Sequence, residues 1–107
     1  MDTQTSGNMP RYLILGNLTI DNDRLEIRVT EQKIDVTLTE LKIIKELLQQ
    51  YPGLVQRKDL ALLIWGNEDM VMPKTINTHL SNLRLKLVDW SFKIESIKNE
   101  GILLKMV

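Results

Sequence analysis

From Leu13 to Val36 the apolar side chains fall at every second position, in short runs broken by polar turn formers. Leu13 and Leu15 precede Gly16-Asn17, Leu18 and Ile20 precede Asp21-Asn22-Asp23, Leu25, Ile27 and Val29 precede Glu31-Gln32-Lys33, and Ile34 and Val36 close the series. Successive strand side chains point to opposite faces, so this period predicts an antiparallel meander over residues 11–36 with one face buried.

The period changes at Thr37. Thr37-Leu38-Thr39-Glu40 has the spacing of a capping box, in which the Thr37 hydroxyl accepts from the Glu40 amide and the Glu40 carboxylate from the Thr37 amide. Val36 and Leu41 stand at the two positions of a hydrophobic staple. Leu41, Ile44, Leu47 and Leu48 then recur at helical spacing until Pro52-Gly53. A second, short helix is expected from about Arg57 to Trp65 with Leu60, Leu63 and Ile64 on one face. Gly66 suits the left-handed position that follows a helix end. Gln56, before this helix, is a weak cap. Residues 66–73 read as a loop that is more apolar than most. A third helix is expected from about Lys74 to Val88, its apolar stripe being Ile76, Leu80, Leu83 and Leu87. Its opposite face carries Lys74, Thr78, Ser81, Asn82 and Leu85. Strand character returns from Trp90 to Val107 around Lys98-Asn99-Glu100-Gly101, which predicts a hairpin.

Strands, three helices and a hairpin, in that order, describe an α+β fold: a winged helix-turn-helix with an N-terminal antiparallel β-sheet and a C-terminal β-hairpin wing. Residues 11–107 form one domain, and residues 1–10 read as a disordered linker remnant or tag. The full chain of 107 residues suits a single domain.

Charge adds locality more than sign. The formal net charge is zero, with 14 basic and 14 acidic residues, which argues against an indiscriminate polyanion coat. Yet from Lys74 to Leu87 there is no acid, while Lys74, Arg84 and Lys86 are basic. Cysteine is absent and His79 is the single histidine, so no thiolate or histidine cluster is expected to hold a metal, and no cofactor is expected. No nucleophile–base pair and no glycine-rich phosphate loop point to an enzyme. Without a long apolar run or a signal-peptide pattern, the cytoplasm is the expected location.

From about Leu13 to Leu104 the chain resembles the OmpR/PhoB-type effector domain of bacterial response regulators. Residues 14–21, ILGNLTID, are similar to the family's first strands, and VTLTELKIIKELL at 36–48 to its LTPTEFKLLELL helix entry. Residues 52–66 resemble PGxVxSRxxLxxxVWG, and KTINTHLSNLRLKL at 74–87 resembles RTVDVHISRLRKKL, the family's recognition helix. The wing departs from the family's TVRGxGYxL: a glycine has become Asn99, the tyrosine has become Ile102, and Glu100 stands at the tip.

The resemblance implies a sequence-specific DNA-binding transcription regulator, the output module of a two-component system. Helix 74–88 would enter the major groove and the wing would touch adjacent DNA. Thr78, Ser81 and Asn82 would face base edges, with Lys74, Thr75, His79, Arg84 and Lys86 on the backbone and Ser96, Lys98 and Asn99 in the wing. For His79 a half-buried, hydrogen-bonded role is the competing reading, for Arg84 a tie from helix to hairpin or a core-edge salt bridge. Trp65 is expected at the core edge. Leu85 either covers the helix end against the wing or marks a protein contact. The loop residues Asn67, Glu68, Asp69, Met70 and Met72 correspond to a stretch that can contact RNA polymerase in that family. A receiver domain would accompany the module in the full-length protein. The domain would be monomeric alone and would pair in tandem on promoter DNA. The rival reading is a winged-helix protein-interaction module, binding RNA polymerase or itself, with weak or lost DNA binding.

Overall fold

A computed structural model describes residues 10–67 and 73–107, with Pro73 by its backbone alone. Most of the proposed linker, 1–9, and most of the proposed polymerase-contact loop, Glu68, Asp69, Met70 and Met72, lie outside the described residues. The elements are β1 (Tyr12–Leu15), β2 (Leu18–Asp21), β3 (Glu26–Val29), β4 (Gln32–Ile34), α1 (Leu38–Gln50), α2 (Arg57–Trp65), α3 (Pro73–Lys86), β5 (Phe92–Ile97) and β6 (Gly101–Met106). β1 to β4 form an antiparallel meander in chain order, and β5 and β6 form a hairpin. This is the α+β winged helix expected from the pattern.

One face of the meander supplies the floor of the core. Leu18, Ile20, Ile27 and Val29 are buried, while Tyr12, Ile14 and Arg28 on the other face are exposed. Two details of the reading change. Leu25 is not part of β3. Asp21 Oδ1 accepts from the amides of Asp23 and Arg24, so the turn runs on to Leu25, which takes a positive φ of 55° and stays exposed. The next turn is Thr30-Glu31, not Glu31-Gln32-Lys33, because Val29 pairs with Gln32. Both turn residues have positive φ, 49° and 67°. That is the left-handed pair a two-residue hairpin requires to match strand twist. Thr30 is held there from outside the hairpin. Its amide donates to the Asn17 carbonyl at 2.8 Å, and its hydroxyl accepts from Asn17 Nδ2 at 2.9 Å.

α1 begins with the capping box read from its sequence. The Glu40 amide donates to Thr37 Oγ1 at 3.1 Å and the Thr37 amide to Glu40 Oε1 at 2.9 Å. Leu41 is buried and Val36 packs on the core, as the staple requires. α2 has no side-chain cap at Gln56 and ends on Gly66 in the left-handed conformation. Its buried residues are Leu60 and Ala61; Leu63, expected inward, is 37% exposed and Ile64 is half-buried. In the last turn Ile64 and Trp65 pack on the edge of the core, and Leu63 is left facing outward. α3 buries Ile76, Leu80, Leu83 and Leu87, matching the expected stripe. It ends two residues before the expected Val88, because the Trp90 amide turns back to the Leu87 carbonyl at 3.0 Å.

Long-range hydrogen bonds tie the β1–β2 turn to the segment after α3, among them one from Asn17 Nδ2 to the Asp89 carbonyl at 3.0 Å. The Trp90 indole donates to the Leu15 carbonyl at 2.8 Å, and Asn17 Oδ1 accepts from the Ser91 amide at 2.8 Å. Val55 forms a third rung beside the hairpin: its amide donates to the Ile102 carbonyl and its carbonyl accepts from the Ile102 amide, both at 2.8 Å. The wing is therefore bonded to the segment that leads into α2.

Candidate nucleic-acid interface

With its stripe buried, α3 leaves one continuous polar face. Lys74, Asn77, Thr78, Ser81, Asn82 and Leu85 are all exposed, and no acid interrupts them. Ser81 and Asn82 present short polar side chains on this exposed face. The Thr78 hydroxyl donates to the Lys74 carbonyl one turn back at 2.9 Å. That directs its hydrogen into the helix and leaves its methyl group and lone pairs for an outside partner. Asn77, absent from the sequence-based site, lies on the same face one turn before Ser81 and adds a second amide.

Thr75 and His79 are half-buried on the flank of α3. The helix end differs from the expectation. Arg84 Nε donates to the Ile94 carbonyl at 3.0 Å and its Nη2 to Ser96 Oγ at 3.2 Å. Arg84 is therefore a tie from α3 to the wing, one of the roles considered for it, and it occupies Ser96 in the process. Lys86, expected on the DNA backbone, is instead turned inward. Its Nζ lies 2.6 Å from Glu40 Oε1, and the Glu40 side chain is almost wholly buried. The reason is electrostatic: a buried carboxylate recruits the nearest cation, and α3 ends above the first turn of α1. Leu85 does not cover the wing; it is 77% exposed.

The hairpin tip carries Lys98, Asn99 and Glu100, all exposed. Asn99 adopts a positive φ of 64°, which asparagine tolerates better than other residues with a Cβ. The substitution for glycine is thus conformationally mild. Ile102, in the tyrosine position, is fully buried beside Val55. Beneath the tip a cleft is lined by Gln56, Arg57, Lys58, Asn99, Glu100 and Gly101. Sequence reading missed Arg57 and Lys58. The signal was present: two cations in the first turn of a helix oppose its dipole, and here no side chain caps that end. Arg57 Nη1 is buried without a hydrogen-bond partner among the described residues. Asn67, the one described member of the proposed polymerase loop besides Gly66 and Pro73, is exposed. Trp65 is half-buried against the core, as expected.

Residues 31–104 match the model of the family described as transcriptional regulatory protein, C terminal. The chain belongs to that family. Curated proteins similar to this regulatory domain include the transcriptional regulatory protein VxrB of Vibrio cholerae, 28% identical over 100 residues covering 94% of this chain and 40% of VxrB. The heme response regulator HssR of Staphylococcus aureus is 24% identical over 96 residues, covering 88% of this chain and 43% of HssR. The regulatory domain thus spans about two-fifths of the length of these curated relatives. Among solved structures it is similar to the DNA-binding domain of CpxR from E. coli, with a TM-score of 0.78 and 26% identity over 87% of this chain and 94% of that one. The Klebsiella pneumoniae RstA DNA-binding domain, solved in complex with the RstA box, gives a TM-score of 0.77 over 88% of this chain and 96% of that one; at 22% identity this likeness is one of fold. Among the described residues no helix is long and apolar enough to cross a membrane, and no group of acidic residues and His79 is arranged to hold a metal.

Electrostatics ties the interface to the capping box. Burial by itself raises the Glu40 pKa. The hydrogen bond from Lys86, that from the Thr37 amide, and the charges of Lys86 and His79 outweigh burial and hold the carboxyl below its ordinary range. A carboxyl depressed in the folded state contributes stability above its unfolded pKa and loses it as pH falls toward the folded value. Stability of the domain is therefore expected to drop as pH falls below about 4.5. Replacing Glu40 by glutamine flattens that acid limb. Thermal unfolding from pH 7 to 3 checks this, and parallel acid limbs for the two proteins would contradict it.

Proposed function

We propose that this domain binds promoter DNA sequence-specifically, as the output module of a bacterial response regulator. The acid-free polar face of α3 carries the reading. An α-helix of this width fits the major groove, and Thr78, Ser81 and Asn82, with Asn77 beside them, reach base edges there. Asn82 pairs bidentately with adenine, and the Thr78 methyl meets a thymine methyl. Lys74, Thr75 and His79 lie against phosphates on the flanks. Arg57 and Lys58, at the open N-terminus of α2, add a second set of phosphate contacts across the cleft from Lys98 and Asn99 at the wing tip. Phosphate contacts set the register and base contacts set the sequence. Arg84 fixes the wing to α3 and Lys86 is withheld from the backbone, so few cations remain. Affinity is correspondingly modest for one domain, and tandem pairing on direct repeats raises it. Location in the cytoplasm, a receiver domain in the full-length protein, and contact with RNA polymerase through the loop after α2 complete the reading.

The test is selection of bound duplexes from a random-sequence pool, followed by anisotropy titration at several salt concentrations. Saturable binding is expected, with log affinity falling linearly in log salt by about 0.9 for each phosphate neutralised. No saturable binding at low salt, together with a stable complex with a polymerase subunit or itself, would establish the protein-interaction module instead.

A further inference from the structure

Glu40 stands alone as the buried polar or charged residue among the described residues, at 1% exposure. It is the third residue of α1, and one oxygen, Oε1, accepts both from the Thr37 amide and from Lys86 Nζ. Lys86 is the last residue of α3, 46 positions along the chain. The pair joins an acid at a helix N-terminus to a cation at a helix C-terminus, so each charge also complements the dipole end it sits on. A buried carboxylate that loses its cation is strongly disfavoured. The two helix ends are therefore held in one relative placement.

Resting on the DNA-binding reading, we infer that Glu40 is a positioning residue for the interface. Its carboxylate withdraws Lys86 from the phosphate-binding cations and uses it to lock the last turn of α3 to the first turn of α1. The Thr78–Ser81–Asn82 face is thereby presented to the groove at one angle. Arg84, two residues earlier, extends the same lock to the wing through Ile94 and Ser96. The end of α3 is thus tied on two sides, and its polar face needs no ordering on contact with DNA.

The experiment uses a labelled duplex selected by the wild-type domain, titrated at several salt concentrations against Lys86→Met, Glu40→Gln, the double variant and Lys86→Arg. Each single variant is expected to weaken binding about three- to tenfold, with an unchanged salt slope because no phosphate contact is lost. The double variant should be no weaker than either single one, since both remove the same interaction. Lys86→Arg should restore most of the affinity. A salt slope reduced by about 0.9 in Lys86→Met would place Lys86 on a phosphate and overturn the inference, as would losses that simply add in the double variant. Should Glu40→Gln fail to fold, Lys86→Met and Lys86→Arg decide by themselves. Should the wild type select no duplex, the DNA-binding reading fails, and amide hydrogen exchange of the free domain tests the lock. Faster exchange in the last turn of α3 for Lys86→Met than for Lys86→Arg upholds it, and equal exchange overturns it.

Discussion

Replacing Asn82 by alanine is expected to lower affinity for the selected site by about 1–3 kcal/mol, roughly 5- to 150-fold. The side chain is exposed in the middle of the acid-free face of α3, with Leu83 next to it seated in the core. Such a residue is held in place by the packing of its neighbours, so the variant is expected to keep its fold. An asparagine amide matches the paired acceptor and donor on the major-groove edge of adenine, and alanine matches neither. The loss is therefore confined to sites with the preferred base at one position, and the penalty for changing that base disappears. The salt slope stays constant because no charge is removed. Lys74→Ala gives the opposite pattern: a similar loss on every sequence and a slope lower by about 0.9. Titration of both variants against the selected duplex and its single-base substitutions separates the two patterns. Equal loss for Asn82→Ala on all duplexes, or none on any, removes Asn82 from base readout.

Replacing Gly101 by alanine is expected to cost about 3 kcal/mol of folding stability, with a fall in Tm on the order of 10 °C or more. Gly101 opens β6 with a φ of 150°, and a Cβ there would collide with the Val55 carbonyl oxygen. That carbonyl accepts from the Ile102 amide and cannot withdraw without breaking the rung that bonds the wing to the segment before α2. Each of the two hydrogen bonds in the rung contributes about 1 kcal/mol net, and the strained backbone adds to their loss. Asn99→Gly, two residues away, is the contrasting change. The position has positive φ in open surroundings, so glycine is expected to alter stability by less than about 0.5 kcal/mol. Thermal and denaturant unfolding of the two variants checks the contrast. A Gly101→Ala protein as stable as the wild type would mean that the wing shifts freely and is not anchored through Val55. DNA binding by Gly101→Ala is expected to weaken as well, since Asn99 and Lys98 at the tip and Arg57 and Lys58 across the cleft would no longer keep their spacing.

These contrasts show what kind of information lies in the chain itself. The meander, the capping box at Thr37, the extents of α1 and α2, the left-handed end at Gly66 and the buried stripe of α3 were all legible, because each follows from local periodicity or from residues within four positions of one another. The polar face of α3 was legible for the same reason: once Ile76, Leu80, Leu83 and Leu87 face inward, helix geometry turns Thr78, Ser81 and Asn82 outward. Leu25 and the Thr30-Glu31 turn were misread because Asp21 and Asn17 reshape them through hydrogen bonds that alternation does not encode. The partners of the charged groups lay beyond sequence reading. Lys86 looks like a phosphate ligand on a helix wheel, and only the docking of α3 over α1 brings it to Glu40. For Arg84 a tie from helix to hairpin was one of the readings, and the fold selects it through Ile94 and Ser96; Arg57 lines a cleft with the wing tip only because of the same packing.

The sequence alone determined most of the apolar core, where the helices start, and which face of α3 is left polar and exposed, since those depend on spacing along one element. Tertiary structure decided which of the basic residues remain free at the surface, because a cation's partner depends on distances between elements far apart in the chain.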